Sequence, residues 1–144
     1  MVSLKELPKE EYLLKGNAAC AGCGAAISLR LLFKALGNKV ILIVPACCTT
    51  VIQGPYPYTS VKVPLLNIVF EATAAAASGV VAALKKRGIE DVTVVGWAGD
   101  GGTADIGIQA LSGAAERRTN FIYICYDNEA YGNTGMQRSG ATPF

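Results

Sequence analysis

The sequence predicts an α/β fold, a parallel sheet with helices on both faces. Three observations lead there. Largely apolar runs of strand length, Val40–Val44, Val92–Trp97 and Phe121–Tyr126, recur along the chain. A strand apolar along its whole length is one covered on both faces. Stretches with helical apolar spacing separate the runs, and a β-α-β alternation joins parallel strands through right-handed crossovers. The chain has 144 residues, 51% of them hydrophobic and 17% charged, enough for one domain with its own core.

Each element has a local reason. Residues 1–16 are charged and are expected to form a peripheral arm. Cys20-Ala-Gly-Cys23-Gly24 reads as a tight loop. Ala25–Leu36 carries Ile27, Leu31, Leu32 and Leu36 at helical spacing and stops at Gly37-Asn38, a usual helix end. Val40–Val44 is a buried strand, and 45–57 is a loop holding Cys47-Cys48-Thr49-Thr50. Ser60–Val63 is expected as a short strand. Phe70–Arg87 is an Ala-rich helix ending at Gly88; its small side chains permit close packing, and Glu71 favours the dipole at its start. Val92–Trp97 is the next strand, Ala104–Arg118 a helix, Asn120–Tyr126 a strand, and the segment from Tyr131 on a loop. The sequence stops at Pro143-Phe144 with no closing helix, so it is expected to end short of the complete fold.

Composition excludes several classes. Net charge is +2 and the densest basic cluster is Lys85-Lys86-Arg87, which suits a helix C-terminus. There is no basic stripe for nucleic acid. No apolar run reaches membrane-span length, and the N-terminus has no signal-peptide core, so no membrane partner and a cytoplasmic location are expected. The absence of histidine removes Ser-His-Asp and Cys-His catalysis. Five cysteines in a reducing compartment are not expected to form disulfides. High apolar content with few charges implies surface covered by partner subunits.

Two constellations carry chemistry. The first is Gly99-Asp100-Gly101-Gly102, followed 28 residues after Asp100 by Asn128. Each follows an apolar run, so in a parallel αβ unit both sit at carboxyl ends of neighbouring strands, where open sheets bind ligands. Asp100 offers an anionic oxygen and Asn128 a neutral one, ligand types that Mg²⁺ takes while sharing its shell with phosphate. The glycines let backbone amides approach phosphates. With Asn133-Thr134-Gly135 behind it, the pattern is similar to the thiamine diphosphate motif. The second constellation is Cys20-x-x-Cys23, with Cys48 25 residues further on. Such thiolates suit an iron–sulfur cluster, zinc or a redox dithiol. Cys47 replaces Cys48 equally well on spacing, and Cys125, inside a strand, is expected to be buried.

Together these residues resemble one family, the β subunit of 2-oxoacid:ferredoxin oxidoreductases, the pyruvate enzyme most of all. The resemblance runs from about Gly16 to the end, through Cys20-x-x-Cys23-Gly24, Cys48, Gly-Asp-Gly-Gly-Thr-x-Asp-Ile-Gly and Tyr-Asp-Asn-Glu-x-Tyr-x-Asn-Thr-Gly-x-Gln. It implies a thiamine diphosphate-binding fold and a domain over 1–144, with a cluster-binding segment at 17–50 and a Mg²⁺- and diphosphate-binding segment at 92–135. By the same resemblance Asp100, Asn128 and the Ala130 carbonyl bind Mg²⁺. Gly99, Gly101, Gly102, Asn133 and Thr134 line the diphosphate, and Cys20, Cys23 and Cys48 hold a [4Fe–4S] cluster. The fourth cluster cysteine and the glutamate activating the cofactor ring are absent from this chain, and the glutamate is expected on a partner subunit. The implied reaction takes a 2-oxoacid, CoA and two oxidised ferredoxins to acyl-CoA, CO₂ and two reduced ferredoxins. Pyruvate is the expected substrate. Branched 2-oxoacids, a non-redox thiamine decarboxylase or synthase, and a subunit inert alone are the alternatives.

Overall fold

A computed structural model describes residues 4–144. The elements, in order, are α1 (Gly24–Leu36), β1 (Val40–Pro45), α2 (Cys48–Gln53), β2 (Leu65–Ile68), α3 (Thr73–Lys86), β3 (Thr93–Gly99), α4 (Ile108–Glu116), β4 (Ile122–Tyr126), β5 (Ala130–Tyr131) and β6 (Gln137–Arg138). Four strands make one parallel sheet in the order β2-β1-β3-β4. β5 and β6 form a separate antiparallel pair.

The alternation of strand side chains explains the two layers. Leu42, Val44, Val95 and Trp97 point to one face, where Leu29 and Phe33 of α1 complete the core. Ile43 and Val94 point to the other, against Ala77 and the partly buried Ala76, Val80 and Leu84 of α3. Period-two alternation under helices on each side makes both faces of β1 and β3 apolar. α4 lies alongside α3. Each fully buried Leu, Ile, Val or Phe here contributes roughly 1.5–3 kcal/mol. In α1 the buried stripe is Leu29 and Phe33, while Ile27 and Leu31 are exposed; the expected helical spacing holds, but it marks the outward face as well.

Several expectations change. Ser60–Val63 is not a strand of the sheet. Val61 instead bridges Leu13 antiparallel, with Leu14 N–H donating to Ser60 O and Lys62 N–H to Tyr12 O. This ties the end of the expected arm into the fold, where Leu13 joins the core; the arm's first three residues lie outside the described residues. The second strand falls just after Pro64, at Leu65–Ile68, because Pro64 can accept from Leu42 N–H but has no N–H of its own. The loop at 45–57 contains α2. The helix expected from Ala104 starts at Ile108, after a π-helical turn over Gly101–Asp105. No helix among the described residues is long and apolar enough to cross a membrane.

Candidate diphosphate and metal site

β3 and β4 pair in register Gly99↔Tyr126, so the residues after them emerge side by side at the carboxyl edge of the sheet. Asp100 follows β3 directly and is 1% exposed. Asn128 leaves the end of β4 by way of Asp127, whose Oδ1 accepts the Glu129 N–H at 2.8 Å. Glu129 has φ +60, a left-handed conformation that costs about 1–2 kcal/mol for a side chain with a Cβ. Such strain persists where the surroundings fix it, often at functional sites. It turns the chain so that the Asn128 amide meets both Asp100 Oδ1 and the Ala130 carbonyl.

The Asn128 amide lies 2.8 Å from Asp100 Oδ1 and 2.8 Å from Ala130 O. With its NH₂ inward it donates to both. With its oxygen inward, it completes a cradle of three oxygens from Asp100, Asn128 and Ala130. Six oxygens around Mg²⁺ at 2.0–2.1 Å stand about 2.9 Å from their neighbours, against about 3.4 Å for six around Ca²⁺. The 2.8 Å contacts are those of ordinary hydrogen bonds, and one half-turn of the exposed Asn128 amide exchanges its NH₂ for its oxygen beside Asp100 Oδ1 and Ala130 O.

The cradle forms one wall of a cavity of about 190 Å³, also lined by Gly99, Gly101, Gly102, Tyr131, Asn133 and Thr134. Whole small-molecule sites run to roughly 300–1,000 Å³, so this chain encloses only part of a cofactor. Gly101 and Gly102 begin a helical run, whose first N–H groups have no partner within it and suit an anion. The π turn needs glycine at its exit: a Cβ on Gly107 would lie 1.9 Å from Gly102 O. Thr134 Oγ1 donates to Gln137 Oε1 at 2.6 Å, so its hydroxyl is engaged within its own loop.

The cysteines divide between two adjoining cavities. Cys47 and Cys48 line the diphosphate cavity. Cys20, Cys23 and Cys125 line a second one of about 540 Å³. Tyr126 and Asn128 belong to both. Tyr126 stacks on Trp97, centroids 5.4 Å apart, and Trp97 Nε1 donates to Thr49 Oγ1 at 3.0 Å, which seats α2 and Cys48 against the sheet. Burial, then the neighbouring Cys47, pushes the Tyr126 phenol far above its ordinary value. Burial likewise raises the Cys48 thiol, with smaller contributions from Cys47, Cys23 and Cys20. Among the described residues no three Cys, Asp or Glu side chains are placed to share one metal ion. Cys125, expected to be buried, is exposed, because β4 is the edge of this sheet.

Sequence reasoning assigned no role to Ser139, Asp105 or Tyr131. Ser139 Oγ donates a short bond to Asp100 Oδ2. Tyr131 OH donates to Asp105 Oδ2 at 2.5 Å, and Gly140 N–H donates to both Asp105 oxygens at 2.9 and 3.1 Å. The Ser-Gly-Ala-Thr-Pro run is a turn signal, but its target is visible only in three dimensions.

Residues 47–144 match the family of thiamine pyrophosphate enzymes through its C-terminal TPP binding domain, and the chain belongs to that family. Thiamine diphosphate is the cofactor such a domain binds. The chain is 54% identical over 143 residues to the ketoisovalerate oxidoreductase subunit VorB of Pyrococcus furiosus, covering 96% of this chain and 46% of that protein. It is 55% identical over 139 residues to the pyruvate synthase subunit PorB of Methanothermobacter thermautotrophicus, covering 96% and 48%. It thus spans about half the length of the curated relatives it matches. A solved 2-oxoglutarate:ferredoxin oxidoreductase from Magnetococcus marinus shares the fold, at TM-score 0.71 and 24% identity, over 93% of this chain and 46% of that one.

Proposed function

We propose that this chain is the diphosphate- and metal-binding part of a 2-oxoacid:ferredoxin oxidoreductase that uses pyruvate, works in the cytoplasm and is active only with its partner subunits. The observation that carries the reading is the meeting of the Asn128 amide with Asp100 Oδ1 and Ala130 O, opening on a cavity of about 190 Å³, too small for the whole cofactor. The similarity to a pyruvate synthase subunit over 96% of the chain supports the substrate class. The ketoisovalerate relative, equally similar, makes branched 2-oxoacids the second reading.

The chemistry thiamine diphosphate supplies when bound is an electron sink for decarboxylation. Asp100, Asn128 and Ala130 would be the residues that hold Mg²⁺, which would supply charge to bind the diphosphate. Gly99, Gly101 and Gly102 bring backbone close to its oxygens, and Asn133 and Thr134 close the far side. Phe70 and Tyr131, rings 6.1 Å apart edge to face, give the cavity an apolar wall. We assign Cys20, Cys23 and Cys48 to a [4Fe–4S] cluster with a fourth ligand from outside these residues. The shared wall of Tyr126 and Asn128 supports this, since it sets the cysteine cavity directly behind the diphosphate. The described conformation does not draw the three thiols into one coordination sphere, so cluster assembly requires the loop of Cys20 and Cys23 to close.

The test is viologen reduction by the assembled enzyme with CoA, thiamine diphosphate and Mg²⁺. Pyruvate should give the higher kcat/KM, and a branched 2-oxoacid exceeding it would move the assignment to the second reading. Asp100→Ala should abolish thiamine diphosphate binding. Unchanged affinity by calorimetry with Mg²⁺ present would remove Asp100 from the metal site.

A further inference from the structure

Ser139 is 3% exposed, although Arg138 and Gly140 on either side are exposed. The β5–β6 pair folds the chain back and delivers it onto Asp100. A serine hydroxyl has one proton and two lone pairs. Ser139 Oγ accepts the Ala141 N–H at 3.2 Å and gives its proton to Asp100 Oδ2. The neighbouring Thr142 hydroxyl does not compete to donate there, because it donates to Glu129 O at 2.5 Å. Thr142 Oγ1 in turn accepts the Ser139 N–H at 2.9 Å. The hydroxyl is therefore held from its own loop and aimed at one carboxylate oxygen. The other, Oδ1, faces the Asn128 amide, which also meets Ala130 O.

A carboxylate binds a cation through one oxygen or both. Mg²⁺ takes near-ideal six-coordination and single oxygens, whereas Ca²⁺ takes six to eight and accepts both oxygens of one carboxylate. We infer that Ser139 is a positioning residue that sets the ion preference of this site: by occupying Asp100 Oδ2 it restricts Asp100 to one-oxygen coordination and so favours Mg²⁺ over Ca²⁺. The inference rests on the reading of Asp100, Asn128 and Ala130 as the metal ligands. A hydroxyl that merely closed the loop would affect both ions alike.

The experiment titrates Mg²⁺ and Ca²⁺ separately into the metal-stripped, assembled protein with thiamine diphosphate present, followed by calorimetry. Ser139→Ala should lower Mg²⁺ affinity roughly 10- to 100-fold, as loss of an outer partner of a metal ligand does. Ca²⁺ affinity should hold or rise, so that the Mg²⁺/Ca²⁺ ratio falls by at least the same factor. Ser139→Thr, which keeps the hydroxyl, should restore the ratio. Parallel loss for both ions, or no change in the ratio, overturns the inference. Should Ser139→Ala fail to fold, a crystal structure of the unaltered protein with Mg²⁺ decides. Asp100 bound through Oδ1 alone, with Ser139 on Oδ2, upholds the inference, and two-oxygen coordination overturns it. Asp100→Ala separates the two readings. If thiamine diphosphate binds the unaltered protein and Asp100→Ala equally with Mg²⁺ present, the site assignment fails and the Ser139 inference with it. If binding needs the metal and Asp100 while Ser139→Ala leaves the ratio unchanged, only the Ser139 inference fails.

Discussion

Gly132→Ala separates the metal cradle from the fold that carries it. Gly132 follows β5 and its φ is not in the left-handed region, so the backbone tolerates alanine. A Cβ there would stand 2.6 Å from the outer atom of the Asn128 amide. An ordinary contact begins near 3.4 Å, so that atom must retreat by about 0.8 Å, beyond the ~0.5 Å within which a functional group keeps its geometry. The amide is planar and rigid, so its inner atom moves with it. Against Mg–O distances of 2.0–2.1 Å, such a displacement removes Asn128 as a ligand. The expected loss of metal-dependent affinity is at least the roughly 10- to 100-fold of an outer-partner mutation, or about 1.4–2.7 kcal/mol. The fold should not register it. Asn128 is exposed, the displaced amide meets water, and Gly→Ala at a compatible position adds about 0.4–1 kcal/mol by restricting the unfolded chain. Metal-stripped protein should melt at or slightly above the unaltered temperature. The extra stability conferred by saturating thiamine diphosphate and Mg²⁺ should shrink, as mass action requires when affinity falls. Calorimetric affinity equal to that of the unaltered protein would refute the reasoning. So would a metal-free melting point lowered as much as the loaded one.

Two other predictions concern the cysteines and the arm. In the assembled protein, Ser at Cys20, Cys23 or Cys48 should remove or alter the low-temperature EPR signal of one [4Fe–4S] centre, while Cys125→Ser leaves it intact; loss with Cys47→Ser but not Cys48→Ser would transfer that ligand to Cys47. Glu11 is held at about 2, below its usual 4.5, by hydrogen bonds from Arg30 and then Lys34. A lowered carboxyl pKa adds stability that is complete above about pH 4.5 and is lost as pH falls toward 2, so Glu11→Gln should flatten the melting temperature over that window, and an unchanged slope would show that the ion pair contributes nothing.

Legibility in the sequence followed the length scale of each cause. β1, β3 and β4 were readable because each is a strand-length apolar run. Asp100 and Asn128 were readable as neighbours because one αβ unit separates them and parallel pairing brings both ends of that unit to the same edge. α2 was hidden: its Cys-Thr-Thr-Val-Ile sequence is β-branched and weakly helical. It forms because Thr49 is anchored by Trp97, 48 residues away. The exposure of Cys125 was hidden too, since an apolar strand does not disclose which of its neighbours are present. Ser139 acts on a residue 39 positions earlier, and no local pattern encodes that return.

The burial of β3 divides the cradle into unequal halves. Asp100 continues a strand whose residues from Val94 to Ala98 are all buried, with partners on both sides. Its local opening requires loss of the sheet's centre, and backbone amides there should exchange with solvent near the global unfolding limit. Asn128 and Glu129 are exposed beyond an edge strand and belong to the easily opened end of the same scale. Should a cation bind as proposed, it would restrict one partner only, and the entropy lost on loading would fall almost wholly on the Asn128 side.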